Sequence, residues 1–246
     1  MSEMLSVKNE PGFQIQDANT TSYDRYPREF YIARALARTI RKQQLKILSF
    51  GCSTGEETVS LLNVFPDDNI VGLDISPFVI RKARENNSAD GKITYDISSA
   101  ETLQKYGPYD LIFAMSVFCA WPASRDIDNI SKIFPFSKFE DFVQKLDEVL
   151  NPGGVLVIFN SNFEFLDTDV SKKYEVVISN TTRSTGFVHR FAADNRRVDG
   201  YSGNVVVFRK AKAPSLAHNP PSATARVVHF IDPNGSRLGS LSLSRL

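Results

Sequence analysis

Eight residues hold the chemistry most readily read from this chain. Gly51-Cys52-Ser53-Thr54-Gly55-Glu56-Glu57 follows an apolar run, Ile47 to Phe50, and Asp74 closes a second apolar run about twenty residues later. A strand, a glycine turn, a helix and a second strand ending in an acid form a nucleotide-binding device. Glycines let backbone approach a ligand closely, and the acid can grip ribose hydroxyls. A dinucleotide site wants G-x-G-x-x-G and a helix N-terminus that welcomes pyrophosphate. This turn has two glycines four apart and two carboxylates in the first helical turn, which would repel a phosphate. A ligand with a cationic or zwitterionic part fits it better. Glu57 lies three after Thr54, the capping-box spacing, so a helix-starting role is expected for it, with ligand contact second.

The elements around this turn must position it. Pro27 opens a helix with Phe30, Ala33, Leu36 and Ile40 on one face. Helices are expected over about 54–65, from Ser76-Pro77 to about Asn86, and over Phe139–Leu150, the last ended by Asn151-Pro152-Gly153-Gly154. Strands are expected at Ile47–Phe50, Asn69–Leu73, Lys92–Ile97, Tyr109–Ala114 and Val155–Asn160. This alternation argues for an α/β fold with a doubly wound, mostly parallel sheet. Later segments, Tyr174–Ser179, Gly186–Phe191, Val205–Arg209 and Arg226–Ile231, read as strands with little helix between them. The chain divides into an arm or lid over 1–22, a ligand-binding domain over 23–212 and an extension over 213–246.

Bulk properties exclude several classes. The 246 residues carry 29 basic and 28 acidic side chains, a formal net charge of +1 that gives no support for a nucleic-acid binder. Two cysteines, Cys52 and Cys119, rule out a disulfide scaffold. Three scattered histidines offer no metal site. No segment reaches 18 apolar residues and no signal peptide is evident, so no membrane partner and a cytoplasmic location are expected.

The GCSTGEE turn followed by VGLDIS resembles motif I and the acidic motif of class I S-adenosylmethionine (SAM)-dependent methyltransferases, and the turn is especially similar to that of chemotaxis-receptor methyltransferases. The resemblance covers about residues 23–210. It implies a Rossmann-like, seven-stranded sheet closed by an antiparallel C-terminal hairpin, SAM as cofactor, and methyl transfer to an N or O acceptor on a small molecule or a protein side chain. It also implies cofactor contacts at Gly51, Cys52, Ser53 and Gly55 in the turn, and at Asp74 and Ile75 by the ribose. Tyr26 would fold over the cofactor from the pre-helix segment, and Met115 would face the sulfonium. Ser98-Ser99-Ala100-Glu101-Thr102-Leu103, seven residues before Asp110, sits at the adenine-contact register, with Ser99 where the family has an acid.

For the acceptor, Trp121 before Pro122 could wall a pocket, and Asn160 follows the fifth strand at the site rim. His189 is a candidate general base because its ordinary pKa lies near neutrality. The loop Met115–Pro122 lacks Asn-Pro-Pro-Tyr, the signature of methylation at exocyclic amines. An aromatic rim of Tyr23, Tyr26, Phe118 and Trp121 would also suit a lysine ammonium, making protein lysine N-methylation one alternative. A non-catalytic SAM-binding module and a nicotinamide-dependent oxidoreductase are the others.

Overall fold

The computed structural model describes residue 15 and residues 21–40, 43–87, 91–179, 188–198, 206–212, 226–231 and 237–244. Most of the expected 1–22 arm, and residues 213–225 of the expected extension, lie outside these. The element order is α1 (Pro27–Ala37), β1 (Lys46–Phe50), α2 (Glu56–Val64), β2 (Asn69–Asp74), α3 (Pro77–Asn86), β3 (Ile93–Ile97), α4 (Ala100–Tyr106), β4 (Tyr109–Met115), α5 (Phe136–Val149), β5 (Leu150–Phe159), β6 (Tyr174–Ser179), β7 (Val207–Lys210), β8 (Arg226–Ile231) and β9 (Arg237–Ser244), with two 3-10 turns between β5 and β6. α4 was not expected from the sequence, because its seven residues are too few to show a helical period.

The strands form one sheet in the order β3-β2-β1-β4-β5-β7-β6-β9-β8. β1 to β5 run parallel, and β7 pairs antiparallel with both β5 and β6. The expected seven strands are therefore extended to nine: β9 adds antiparallel to β6 and β8 to β9. Gly186–Phe191 supplies no strand among its described residues, where Phe191 makes an isolated bridge to Arg197.

Both faces of the parallel strands are buried, and alternation sorts their side chains. Ile47, Leu111, Phe113, Val155 and Val157 pack with Phe30, Ala33 and Leu36 of α1 and Leu61 of α2. Leu48, Phe50, Ile112, Ala114, Leu156 and Ile158 pack with Phe139, Phe142, Val143 and Leu146 of α5. Each such burial stabilises by roughly 1.5–3 kcal/mol before the cost of ordering the chain.

Pro152-Gly153-Gly154 does not end α5 as expected. The helix stops at Val149, Leu150 is already extended, and β5 begins there, opposite Tyr109. The glycines instead sit at a register shift between Tyr109 and Leu111. A Cβ on Gly154 would lie 2.9 Å from the Asp110 carbonyl oxygen. Asp110 accepts from Asn151 Nδ2 at 2.8 Å and from the Lys46 N–H at 3.1 Å, tying the starts of β1, β4 and β5.

The chain crosses from β3 to β4 over β2 and β1, so the loops after β1 and β4 part there. A crevice at the strands' C-terminal ends is the geometric consequence.

Candidate active site

Three residues of the turn after β1 have left-handed backbone: Gly51 (φ 78°), Ser53 (φ 51°) and Gly55 (φ 96°). The N–H groups of Gly51 and Cys52 both donate to the Leu73 carbonyl, at 2.7 and 3.1 Å, which folds the turn against the end of β2. A Cβ at Gly51 would come within 2.4 Å of Val117 Cγ2, so the close approach of the post-β4 loop requires glycine. At Gly55 a Cβ would meet Asn87 and Tyr95, which are packing groups. Gly55 is the N-cap of α2. The expected Thr54–Glu57 capping box is therefore absent.

Released from that role, the Glu57 carboxylate reaches back under β1, where Ser49 Oγ donates to its Oε1 at 2.7 Å. Burial raises its pKa from 4.5 to about 7, against the Ser49 hydrogen bond and the charge of Arg25. Glu57 lines the same pocket as Arg25 and Asp74. Capping spacing is local, whereas the partner of Glu57, Ser49, comes from the preceding strand, so spacing alone does not reveal the pair.

Asp74 accepts one backbone N–H on each oxygen, Ser53 at 2.9 Å and Ser76 at 3.0 Å. Burial raises its pKa, opposed by the N–H groups of Ser76, Ser53 and Ile75. Each oxygen keeps acceptor capacity for a ligand hydroxyl. Beside it, the N–H of Ser98 donates to the Asp74 carbonyl at 2.9 Å, while Ser98 Oγ is buried with no hydrogen-bond partner. Such an orphan is costly unless a ligand satisfies it. Ser99, the expected adenine contact, is the N-cap of α4: its Oγ accepts from the Thr102 N–H and Thr102 Oγ1 accepts from the Ser99 N–H. Ser98 lines the pocket, whereas Ser99 and Ala100 do not.

The opposite wall comes from the ends of β4 and β5 and from the segment before α1. Asp24 N–H donates to Ser60 Oγ of α2 at 2.9 Å, which lays Arg25 and Tyr26 along the pocket. Tyr26 OH lies 2.7 Å from Ser116 Oγ, to which Asn160 Nδ2 donates at 2.9 Å. Ser116 (φ 59°) and Asn160 (φ 55°) are both left-handed, and Ser116 N–H donates to the Phe159 carbonyl at 2.8 Å. Two adjacent non-glycine residues in this conformation mark a site held by its surroundings.

One cleft of about 1180 Å³, mouth included, thus gathers Tyr26, Gly51, Cys52, Ser53, Asp74, Ile75, Ser98, Met115, Trp121 and Asn160 of the expected residues. The Cys52 thiol turns into packing with Ile80, Ala83 and Tyr95, and burial holds its pKa well above the ordinary thiol value. Cys119, whose Sγ donates to the Ser116 carbonyl at 3.3 Å, is pushed by burial to about 12. Burial thus favours the protonated thiol at both positions, the less nucleophilic form. His189 does not line the cleft; its ring nitrogens lie 3.1 and 3.3 Å from Arg197 Nη2. Phe118 is a fully buried core residue and Tyr23 is exposed, so of the expected aromatic rim only Tyr26 and Trp121 face the cleft. No group of three or more metal-ligating side chains occurs among the described residues, nor is any described helix long and apolar enough to cross a membrane.

Residues 41–200 match the family model described as a methyltransferase domain, so the chain belongs to that family. The methyl donor of this class is SAM, and the nicotinamide alternative is set aside. Malonyl-[acyl-carrier protein] O-methyltransferase 2 of Ilyobacter polytropus is 31% identical over 120 residues, covering 49% of this chain and 40% of that protein. Trans-aconitate 2-methyltransferase of Methylobacterium radiotolerans is 27% identical over 146 residues, covering 58% of this chain and 49% of that protein. The chain thus spans less than half the length of these curated relatives. Among solved structures, the N-methyltransferase NodS from Bradyrhizobium japonicum is similar at 16% identity and a TM-score of 0.46, covering 75% of this chain and 95% of that one.

Proposed function

We propose that this chain binds SAM in the cleft and transfers its methyl group to a carboxylate oxygen of an acidic acceptor. The cleft's residues fit the cofactor. Asp74 would take the ribose hydroxyls and Ser98 Oγ the adenine edge. Glu57 and Arg25 present opposite charges to a zwitterionic amino acid, with the Glu57 carboxylate on its ammonium and the Arg25 guanidinium on its carboxylate. The Gly51 turn would pass beneath it. When bound, SAM supplies a methyl group on a sulfonium, which leaves as a neutral thioether.

The observation that carries the choice of acceptor is the chemistry of the cleft's titratable side chains. Glu57 and Asp74 are committed to the cofactor in this reading, burial raises the pKa of Tyr26, and both thiols are held protonated. His189 stands outside against an arginine. An amine or alcohol would need a proton removed as it is methylated, and among the described residues lining the cleft only Glu57, raised to about 7, is poised to do so near neutrality, a role closed to it while it holds the cofactor's ammonium. A carboxylate arrives already ionised. It needs alignment and desolvation, which Tyr26, Ser116, Asn160 and Trp121 can supply. Both curated relatives above carry names of acid-methylating enzymes, which supports the same class. Of the four aromatic residues that a lysine ammonium would call on, Tyr23, Tyr26, Phe118 and Trp121, only Tyr26 and Trp121 line the cleft.

The test is transfer from methyl-labelled SAM, with small-molecule and protein fractions counted separately. The expected product releases its label as methanol in mild alkali, as an ester does. Label stable to alkali would overturn the carboxylate assignment, and no transfer with intact SAM binding would favour a non-catalytic module.

A further inference from the structure

Residues 119–134, between β4 and α5, and residues 188–198, between β6 and β7, form a cap beside the cleft. Asn162, fully buried just after β5, joins them: its Oδ1 accepts from the Ala120 N–H at 2.6 Å and its Nδ2 donates to the His189 carbonyl at 2.7 Å. The Phe191 N–H donates to the Asn162 carbonyl at 2.8 Å, and the Arg197 N–H to the Asp128 carbonyl at 2.8 Å. These bonds gather Arg125, Arg197 and His189 in one cluster that borders the cleft through Trp121. The Arg125 guanidinium stands 5.8 Å from the Trp121 ring centre. Arg197 Nη1 donates to the Arg125 carbonyl at 3.4 Å while its Nη2 faces both ring nitrogens of His189.

Among the described residues, no carboxylate lies within ion-pair distance of Arg197 or His189. The nearest acid to Arg125 is Asp126, at 4.0 Å with both side chains exposed, a pairing worth little. Arg197 is half-buried and held at both ends by neutral acceptors, a carbonyl and an imidazole. A guanidinium so fixed loses little further freedom on meeting an anion and can bind a carboxylate through two parallel hydrogen bonds.

We propose that Arg197, with His189 and Arg125, anchors a second anionic group of the acceptor, so that the preferred substrate is a dicarboxylic acid. This rests on the carboxylate reading above. The anchored group must differ from the reacting one. Ion pairing draws electron density from a carboxylate and weakens it as a nucleophile, whereas a cation that holds the other carboxylate binds without that loss. In the reaction an oxygen lone pair of the free carboxylate forms the new C–O bond. The C–S bond pair returns to sulfur, giving neutral S-adenosylhomocysteine and a monoester. No proton moves. The product keeps the anchored charge and loses the other, so each molecule is methylated once.

The experiment uses the full chain, labelled SAM and a panel of straight-chain dicarboxylates from malonate to sebacate, set against their monomethyl esters and monoacids of equal length. At least one dianion is expected to exceed its monoanionic analogues in kcat/KM by about 30-fold or more. Arg197→Gln should raise KM for that dianion at least tenfold, change kcat little and bring the two classes level. His189→Gln should do the same to a lesser degree. S-adenosylhomocysteine should raise the melting temperature of both variants as it does the parent, and calorimetric titration of the dianion into that complex should show binding lost in Arg197→Gln. Equal kcat/KM for mono- and dianions, or an Arg197→Gln loss shared equally by both, overturns the anchor while leaving the carboxylate reading intact. No ester from any acid overturns the carboxylate reading itself, and the anchor with it.

Discussion

Asp147 is a buried and Glu57 a half-buried carboxylate, both on helices packed against the same sheet, yet the chain surrounds them differently. Asp147, in the last turn of α5, receives Lys173 Nζ at 2.7 Å, Lys210 Nζ at 2.9 Å and Tyr174 OH at 2.9 Å. Burial alone would raise its pKa, but those hydrogen bonds outweigh it and hold the carboxyl below the ordinary value. Lys210 Nζ also donates to the Asp147 and Leu150 carbonyls, so the cluster fastens the end of α5 to β6 and β7. Glu57 has one neutral donor, Ser49, and the more distant charge of Arg25, and burial wins. The first carboxylate is satisfied by the fold; the second is left for a ligand to satisfy. That difference separates a fastening from a binding group more sharply than burial or residue type does.

The strongest way to break the comparison is at the fastening. Asp147→Asn should destabilise the protein by about 3–5 kcal/mol, because it leaves the largely buried Lys210 ammonium without its counter-charge. Denaturant midpoints measure this, and a loss under 1 kcal/mol would remove Asp147 from the role. Its pH dependence follows from a depressed pKa. The contribution is complete above the unfolded value near 3.9 and disappears as pH falls through the lower folded value.

Next in size, Asp74→Ala should weaken S-adenosylhomocysteine binding by about 100-fold, the loss of two charge-assisted hydrogen bonds, and should abolish methyl transfer. An unchanged titration curve would refute the ribose assignment. Glu57→Gln should act in opposite directions on stability and binding. Because the folded pKa is raised, the ligand-free protein should lose stability as pH rises from about 4.5 to 7, by roughly 3 kcal/mol at most. The glutamine variant should be flat over that window and more stable at pH 8, yet bind the cofactor about tenfold less tightly. A variant less stable than the parent at pH 8 would show that Glu57 is a second fastening. The smallest effect belongs to Ser98→Ala. Removing its unpaired hydroxyl should leave the ligand-free protein unchanged or up to about 1 kcal/mol more stable, and should weaken nucleoside binding by a few-fold.

Legibility from sequence followed the range of the forces involved. The β-branched runs at 47–50 and 69–73, the Ser76-Pro77 helix start and the glycine turn announce themselves because period-2 burial and turn chemistry act within a few residues. Asp74 stands out because it ends a strand, and the fold sets it in the cleft. Errors arose where two local signals competed, as at Ser98 and Ser99: both are serines at the end of β3, and the capping bond to Thr102 decides which faces the pocket. Thr54 and Glu57 have capping-box spacing, but the left-handed turn makes Gly55 the cap.

By itself the sequence determined the alternation of strands and helices, the sharp turn after β1 and the acid after β2, and with them the class of cofactor. The tertiary structure alone decided what stands opposite. Tyr26 meets Ser116 across ninety positions of chain and Asn160 meets it across forty-four. His189 is tied to Asn162 across twenty-seven, which sets Arg197 between His189 and the Arg125 carbonyl, with the Arg125 guanidinium over Trp121. No periodicity encodes such pairings, because they depend on sheet order and on where two distant loops cross above it. On the proposed reading the acceptor's side of the site is made of those crossings, whereas the cofactor's side is made largely of consecutive residues.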